Sequence, residues 1–420
     1  MNQNSLVSTA YAPPFRIVLN YFIAAIFSFL VLNVLLVLNF DSFSGHHFQP
    51  KFLAMTHIIT LGWITMTIFG ALFQLIPVVL QVKIFSEMLA EIQFWIFSLG
   101  VFTLVYSFWF FLVDLPIIIG ASLIDLAVII FLINIIVTLT RVKEWNITAT
   151  YLSTALFYLF VTAAAGLLLA INLGHPYIKR NHLDYISYHL IIAIVGWVSM
   201  VIMGITFKLV SMFTLTHNFS TTSGKWAFGL INSGLIGLLY ELHSTNFTVF
   251  FTFSLLTVIG IFFFLYQVYL IFKDRIRRKL DAALNYTRTA FIFFAVSTIF
   301  AFSFLIVDYS NVMNITLAFG YLMFFGFASM LIVGQMYKII PFLTWYHKYS
   351  SKAGLMKVPT LKEMYFENIS YLEYYLMLTS VVGVPIFLLL KLSIVVLIFL
   401  ILMLLSTILF VFNMTRIMVK

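Results

Sequence analysis

Residues 53–80 read LAMTHIITLGWITMTIFGALFQLIPVVL, a stretch that contains no acidic residue, lysine or arginine. A helix that crosses the hydrocarbon core of a membrane needs about 20 consecutive, mostly apolar residues. The stretch is long enough for one such crossing and much longer than a transmembrane β-strand, which needs roughly 9–11 residues. Lipid offers no hydrogen bonds to the backbone, so we predict a helix, which satisfies its backbone groups internally.

Apolar stretches of similar length recur along the whole chain. Of the 420 residues, 63% are hydrophobic and 9% are charged, whereas a soluble domain has about 45–50% apolar and about 25% charged residues. This composition excludes a soluble enzyme, a secreted domain and a disordered chain. We expect an all-α, polytopic membrane protein, with residues 1–420 as a single membrane domain. The twelve predicted spans lie near residues 17–39, 53–80, 91–113, 117–140, 149–171, 186–211, 226–244, 247–272, 287–307, 312–341, 369–390 and 392–415.

Lysine and arginine are distributed unevenly between the two sides that twelve spans define. With the N-terminus inside, four of the 23 basic residues lie outside, namely Lys51, Lys179, Arg180 and Lys391, and the other nineteen lie inside. Basic loops of membrane proteins face the cytoplasm. We therefore expect cytoplasmic N- and C-termini in the cell's inner (plasma) membrane. The formal charge of +9 is then a topology signal, and the expected partner is the lipid bilayer, not a nucleic acid.

A pattern within residues 53–80 occurs three times in the chain. Two glycines stand eight residues apart, with an aromatic residue directly after the first and a methionine midway between them. The copies are Gly62-Trp63 with Met66 and Gly70, Gly196-Trp197 with Met200 and Gly204, and Gly326-Phe327 with Met330 and Gly334. Each copy falls in the second helix of a four-helix unit. We therefore predict three pseudo-symmetric units, at approximately residues 15–145, 146–280 and 281–420.

The glycines of the first two copies are candidate cofactor contacts. Gly62 and Gly70, like Gly196 and Gly204, lie on one face of their helix together with the intervening methionine. Two interpretations stay open. A neighbouring helix packs closely onto these small residues, or the flat face that they form receives a planar cofactor.

Three histidines are candidate metal ligands. His57 and His189 lie about one turn inside the outer ends of the second and sixth spans, and His243 ends the seventh span on the same side. Ionisable residues within a membrane are costly and mark functional sites, and neutral imidazole binds heme iron and copper. The chain has no cysteine, so a metal must be held by His, Met, Tyr or carboxylate. Hydrogen bonding to a neighbouring helix, or an interfacial position for His243, is the alternative interpretation.

Twelve helices in three four-helix units with cytoplasmic termini resemble subunit I of the heme-copper oxidases. His57, followed by Leu61-Gly62-Trp63, is similar to the second-helix segment that supplies the low-spin heme ligand of that family. His189 resembles the copper ligand on the family's sixth helix. In its length the chain also resembles the NnrS-type heme proteins, which are oxidase relatives with reduced sites. The resemblance implies an all-α membrane protein that binds heme.

The sequence departs from the family's pattern in two helices. The seventh helix of the family carries a His-His pair where this chain has His243, and its tenth helix carries two heme-binding histidines where residues 312–341 have none. The tenth helix offers Tyr321, at the repeat position of His57, and Met323. Met323 could supply a second heme ligand, because His/Met coordination occurs in cytochromes. The resemblance therefore implies one heme, with copper as a further candidate, and an incomplete binuclear oxygen-reducing site.

Three functions stay open from the sequence. The first is a heme-binding relative of oxidase subunit I in respiratory electron transfer, nitric oxide response or heme and copper handling, with a respiratory subunit or an electron donor as partner. The second is a transporter or metal-handling permease, because a repeated bundle with outer-facing histidines would also serve metal uptake. The third is a divergent oxidase or nitric oxide reductase subunit. No catalytic residue is predicted, and the sequence leaves open whether the protein is an enzyme.

Overall fold

The computed structural model describes residues 11, 13–41, 48–179, 182–217, 219–244, 246–307 and 312–420, apart from the side chains of residues 243, 244 and 312. Within this part of the chain the structure is helical, without a β-strand, and two short 3₁₀ turns lie at Ser350–Lys352 and Leu361–Met364. The long helices of these residues are α1 Phe15–Leu38, α2 Pro50–Leu80, α3 Glu87–Trp109, α4 Leu115–Leu139, α5 Ile147–Gly174, α6 His182–Thr214, α7 Thr222–Ser244, α8 Phe247–Lys273, α9 Ala282–Ser303, α10 from Val312 to Tyr349, α11 Glu367–Leu389 and α12 Ser393–Val419.

Eleven of the helices in the described ranges are long and apolar enough to cross a membrane. The exception is α7, whose 23 residues suffice in length but include the polar residues Lys225, Asn232 and Glu241. Each of the twelve predicted stretches coincides with one helix, apart from small differences at the ends. The prediction of an all-α, polytopic membrane protein is therefore confirmed.

The second helix of each predicted unit departs from α geometry near its middle. In α2, α6 and α10 the departure is an eight-residue π-helical segment, respectively Ile58–Thr65, Ile192–Ser199 and Leu322–Ser329. The segments occupy the same position relative to the three copies of the glycine pattern. The repeat is thus present in backbone conformation as well as in sequence. Segments of π-helix are rare and occur frequently at functional sites.

The helices form two compact units. The first comprises Thr65–Arg278 with the described part of Met1–Phe22, and the second comprises Lys279–Lys420 with the described part of Ile23–Ile64. Consequently α3–α8 belong to the first unit and α9–α12 to the second, while α1 and α2 contribute to both. The two units are groups of helices that contact one another, and their bounds do not coincide with those of the three predicted repeats. The bounds of the repeats therefore remain a prediction.

In the first unit, tight helix contacts are made at glycines of α2 and α6. A Cβ atom on Gly70 would lie 2.7 Å from Cβ of Tyr21 in α1, and one on Gly204 would lie 2.8 Å from Cβ of Tyr151 in α5. Small residues allow such close approach of two membrane helices. The second helix of a repeat therefore packs against the first at a tyrosine.

In the second unit the same contact joins α10 to α9. A Cβ atom on Gly334 would lie 2.7 Å from Cβ of Tyr286, and one on Gly326 would lie 3.0 Å from Cγ of Phe293, seven residues further along α9. Gly62 of α2 is similarly close to Ser28 of α1, where a Cβ atom would lie 2.9 Å from the serine Oγ. The glycine pattern is thus the surface through which first and second helices pack.

Candidate functional site

His57 is the last residue of the first α-helical segment of α2, Pro50–His57, and directly precedes the π-helical segment of this helix. Its imidazole is half-buried, and Nδ1–H donates to the carbonyl oxygen of Leu53, one turn earlier, at 2.8 Å. In the neutral ring this bond places the acceptor lone pair on Nε2. Histidines that bind metals are oriented in the same way, by a carbonyl or carboxylate on the other ring nitrogen. The orientation of the His57 ring is therefore the one that metal-binding histidines adopt.

An apolar core surrounds the side chain of Trp63, within the first π-helical segment. Trp63 is fully buried, with its ring centroid 4.4 Å from that of Phe29 in a stacked arrangement and 6.1 Å from that of Phe410. Its Nε1–H donates to Oγ of Ser329 at 2.9 Å, so the polar atom of the indole has a partner. Trp63 is therefore held in an aromatic core within the second unit.

Tyr321 and Met323 lie in the second unit, where α10 enters its π-helical segment. The hydroxyl of Tyr321 is hydrogen-bonded to Oγ of Ser380 in α11 at 2.9 Å, and its ring stacks on Phe325 with centroids 4.4 Å apart. Met323 is buried, with 6% of its surface exposed. Packing and hydrogen bonding thus account for Tyr321, while the thioether of Met323 remains a predicted second heme ligand.

The four glycines predicted as cofactor contacts, Gly62, Gly70, Gly196 and Gly204, are covered by side chains of the preceding helices. Gly196, for example, faces Tyr158 of α5, whose Cγ would be 2.6 Å from an added Cβ atom. Close helix packing, the first of the two interpretations, describes these contacts. A cofactor lying on the glycine face would need the side chains of α1 and α5 to move.

His189 lies near the start of α6, in the first unit. Its ring is half-buried, and a Cβ atom on Gly166 of α5 would come within 3.2 Å of its Cε1. The missing side chain at Gly166 therefore makes room for the imidazole. The preceding residue, Tyr188, donates its hydroxyl to the buried carboxylate of Glu241 in α7. His189 thus lies against α5. The residue before it forms a buried tyrosine–glutamate pair that the sequence did not predict.

The predicted metal ligands are not brought together within either compact unit. His57 belongs to the second unit and His189 to the first, and the side chain of His243 lies outside the described residues. Among the residues that are described, no group of three or more His, Cys, Asp or Glu side chains could hold a metal ion. A copper site formed by the three histidines remains a prediction from the sequence.

No protein-family model matches this chain, and no curated protein matches it. The candidate site therefore rests on the geometry of its own residues and on the resemblance carried by the three repeat helices.

A buried polar cluster that the sequence reasoning missed surrounds Glu373 of α11, in the second unit. The carboxyl group is fully buried, and its Oε1 accepts a hydrogen bond from the hydroxyl of Tyr286 in α9 at 2.9 Å. Oε2 accepts a hydrogen bond from the hydroxyl of Tyr337 in α10, and Asn413 of α12 donates Nδ2–H to the same hydroxyl oxygen at 2.9 Å. All four helices of the third predicted repeat therefore contribute to one hydrogen-bonded cluster, in which α9 and α10 bond directly to the carboxyl group. The available signal was an acidic residue within the predicted span 369–390.

Proposed function

We propose that this chain is an integral membrane heme-binding protein related to oxidase subunit I, in which His57 would be a ligand of one heme. The observation that carries the proposal is the hydrogen bond from Nδ1 of His57 to the carbonyl of Leu53, which presents Nε2 as the acceptor of the ring. Respiratory electron transfer, nitric oxide response, and heme or copper handling are the functions that such a site would serve. An electron donor or a respiratory subunit is the corresponding partner.

A bound heme would supply one-electron chemistry, because its iron alternates between the ferric and ferrous states. The residues of the chain would bind and orient the heme. The carbonyl of Leu53 holds the ring of His57 in one tautomer, and the thioether of Met323 is the candidate for a second heme ligand. The packing of Trp63 against Phe29 and Phe410 excludes water from the surroundings of the indole.

The proposed location is the inner (plasma) membrane, with both termini in the cytoplasm. The support is the sequence distribution of Lys and Arg, nineteen of 23 on one side, together with helices of spanning length. In this orientation His57 lies near the outer face.

The test is the absorption spectrum of the full chain purified from cells supplied with heme. We expect a Soret band in the wild type, its loss in His57→Ala, and partial recovery when imidazole is added to His57→Gly. His347→Ala is the matched control, because His347 is exposed at the far end of α10 and is not a proposed ligand. A wild type without a Soret band, or a band that His57→Ala leaves intact, would overturn the proposal.

A transporter is the second candidate, and the π-helical segments favour it. Transport sites often lie where spanning helices depart from regular α geometry, and α2, α6 and α10 each contain such a departure. Uptake of a metal ion into proteoliposomes by chromophore-free protein would support this function, and uptake no faster than that of empty liposomes would exclude it.

A further inference from the structure

Glu373 takes part in no ion pair among the described residues. Its two carboxyl oxygens are instead bonded to the phenol groups of Tyr286 and Tyr337, and its side chain is 0% exposed. An ionised carboxylate that is buried without a cation costs several kcal/mol. A group in this setting is neutralised most simply by a proton.

The helices packed around Glu373 present neutral groups to it. Tyr286 comes from α9 and Tyr337 from α10, while Ser406 of α12 donates to the backbone carbonyl oxygen of Glu373 at 2.9 Å. On α11 itself, the ring of Tyr374 lies edge-on to Tyr286 at 5.0 Å. None of these side chains carries a positive charge at neutral pH.

The charged residues nearby in the chain are engaged with other groups. Lys338, which follows Tyr337, forms an ion pair with Asp281 at the start of α9. The guanidinium of Arg416 lies over the ring of Phe366, 3.5 Å from its centroid. The positive charges of α10 and α12 therefore have partners other than Glu373.

A chain of hydrogen bonds leads from the buried carboxyl group to the end of the bundle. Tyr337 joins Glu373 to Nδ2 of Asn413, and Oδ1 of Asn413 accepts the backbone N–H of Phe366 at 3.1 Å. Phe366 directly precedes α11 and is 40% exposed. The polar groups thus extend from the carboxyl group to the exposed start of α11.

We propose that Glu373 is a reversible proton-binding site, which exchanges its proton through the hydroxyl group of Tyr337 with water on the side at which α11 begins, while Asn413 orients that hydroxyl group. On binding, Tyr337 gives its hydroxyl proton to Oε2 of Glu373 and takes up a proton from a hydronium ion in its place, so that water is left, the phenol is restored and the negative charge of the carboxylate is lost. Release at higher pH restores the carboxylate. The site contains neither His57 nor any other residue proposed to hold heme.

The first repeat contains an uncharged version of this site. Gln93 is the seventh residue of α3, as Glu373 is of α11, and Tyr21 of α1 donates its hydroxyl to the Gln93 Oε1. The repeat therefore already accommodates an amide opposite this tyrosine. We accordingly expect Glu373→Gln to fold, and this variant removes the titrating group while retaining its shape.

The experiment is infrared spectroscopy of the full chain in lipid vesicles, over a range of pH, in H₂O and in D₂O. We expect the wild type at neutral pH to show the C=O stretching band of an un-ionised carboxylic acid, which shifts in D₂O and disappears reversibly as the pH is raised. In Glu373→Gln a band equal to one carboxylic acid per chain should be lost. Tyr337→Phe should slow the shift of this band after transfer to D₂O.

Glu363→Gln is the matched control. Glu363 is exposed, and the hydrogen bond that it accepts from the backbone N–H of Thr360 at 2.8 Å lowers the pKa of its carboxyl group. This residue is therefore ionised at neutral pH, and its replacement should leave the band unchanged. A difference spectrum without a lost carboxylic acid band in folded Glu373→Gln would overturn the proposal, and so would a band that persists unchanged at alkaline pH.

Discussion

At the residue scale, glycine is required where α9 and α10 cross, because neighbouring atoms leave no room for a Cβ atom. A Cβ on Gly334 would lie 2.7 Å from Cβ of Tyr286 and 2.8 Å from the backbone oxygen of Ala283. We expect Gly334→Ala to lower the free energy of unfolding by about 1–3 kcal/mol, as overpacking of a close contact does. The measurement is the thermal unfolding midpoint in detergent.

Gly320→Ala is the control for this prediction, since Gly320 lies on the same helix with nothing within 4 Å of an added Cβ atom. This control should unfold at the wild-type temperature or slightly above it, because alanine is the better helix former. Equal midpoints for the two variants would contradict the close contact of α9 with α10.

The indole of Trp63 supplies a second prediction at this scale. Its Nε1–H donates to Ser329, so Ser329→Ala leaves a buried donor without this partner. Such a loss costs about 1–3 kcal/mol. We expect Trp63→Phe combined with Ser329→Ala to destabilise the protein less than the sum of the single changes. The measurement is a double-mutant cycle of unfolding free energies, and strict additivity would contradict the bond.

At the element scale, the third helix of each repeat begins against an amide side chain from the fourth. Asn134 of α4 accepts the backbone N–H of Ser86 at 3.0 Å and donates to the backbone oxygen of the same residue at 2.7 Å. Asn413 of α12 forms the same pair of bonds with Phe366, and Gln267 of α8 accepts a backbone N–H from α7. These amides satisfy backbone groups that the first turn of a helix leaves unpaired.

We therefore expect Asn134→Ala to loosen the start of α3. The backbone N–H of Ser86 loses its acceptor, at a cost of about 1 kcal/mol, so its hydrogen–deuterium exchange should accelerate severalfold. Asn33→Ala is the control, because Asn33 is also buried but donates to Phe29 within its own helix. Equal exchange of Ser86 in both variants would show that the interhelical bond does not hold this helix end.

At the scale of the whole molecule, the predicted topology can be tested because the chain contains no cysteine. A single introduced cysteine is then the only thiol that a membrane-impermeant maleimide can label. Lys179→Cys should be labelled in intact cells, and Lys352→Cys only after permeabilisation; both positions are exposed. Labelling in the opposite order would reverse the proposed orientation and would place His57 near the cytoplasmic face.

Spanning helices and the repeat were determined by the sequence itself. Lipid leaves helices as the structure for long apolar stretches, so hydropathy alone predicted each of the twelve helices. The orientation of His57 is also local, because its partner Leu53 lies one turn earlier. Even so, the π-helical segments escaped prediction, since the glycine pattern does not specify how many residues form each turn.

Only the tertiary structure decided what the glycines and the buried polar residues contact. Tyr286 and Glu373 are 87 positions apart, and Trp63 and Ser329 are 266 apart, so no local periodicity connects them. The sequence identified the glycine face but left open what covers it; in the structure a tyrosine, serine or phenylalanine from the preceding helix packs onto it, joined at Gly326 by Val381 of α11. In the sequence Glu373 is one acidic residue in an apolar span, and only the structure shows that three other helices surround it with phenol and amide groups. Hydropathy is a property of each segment, whereas hydrogen-bond partners are properties of the assembled bundle.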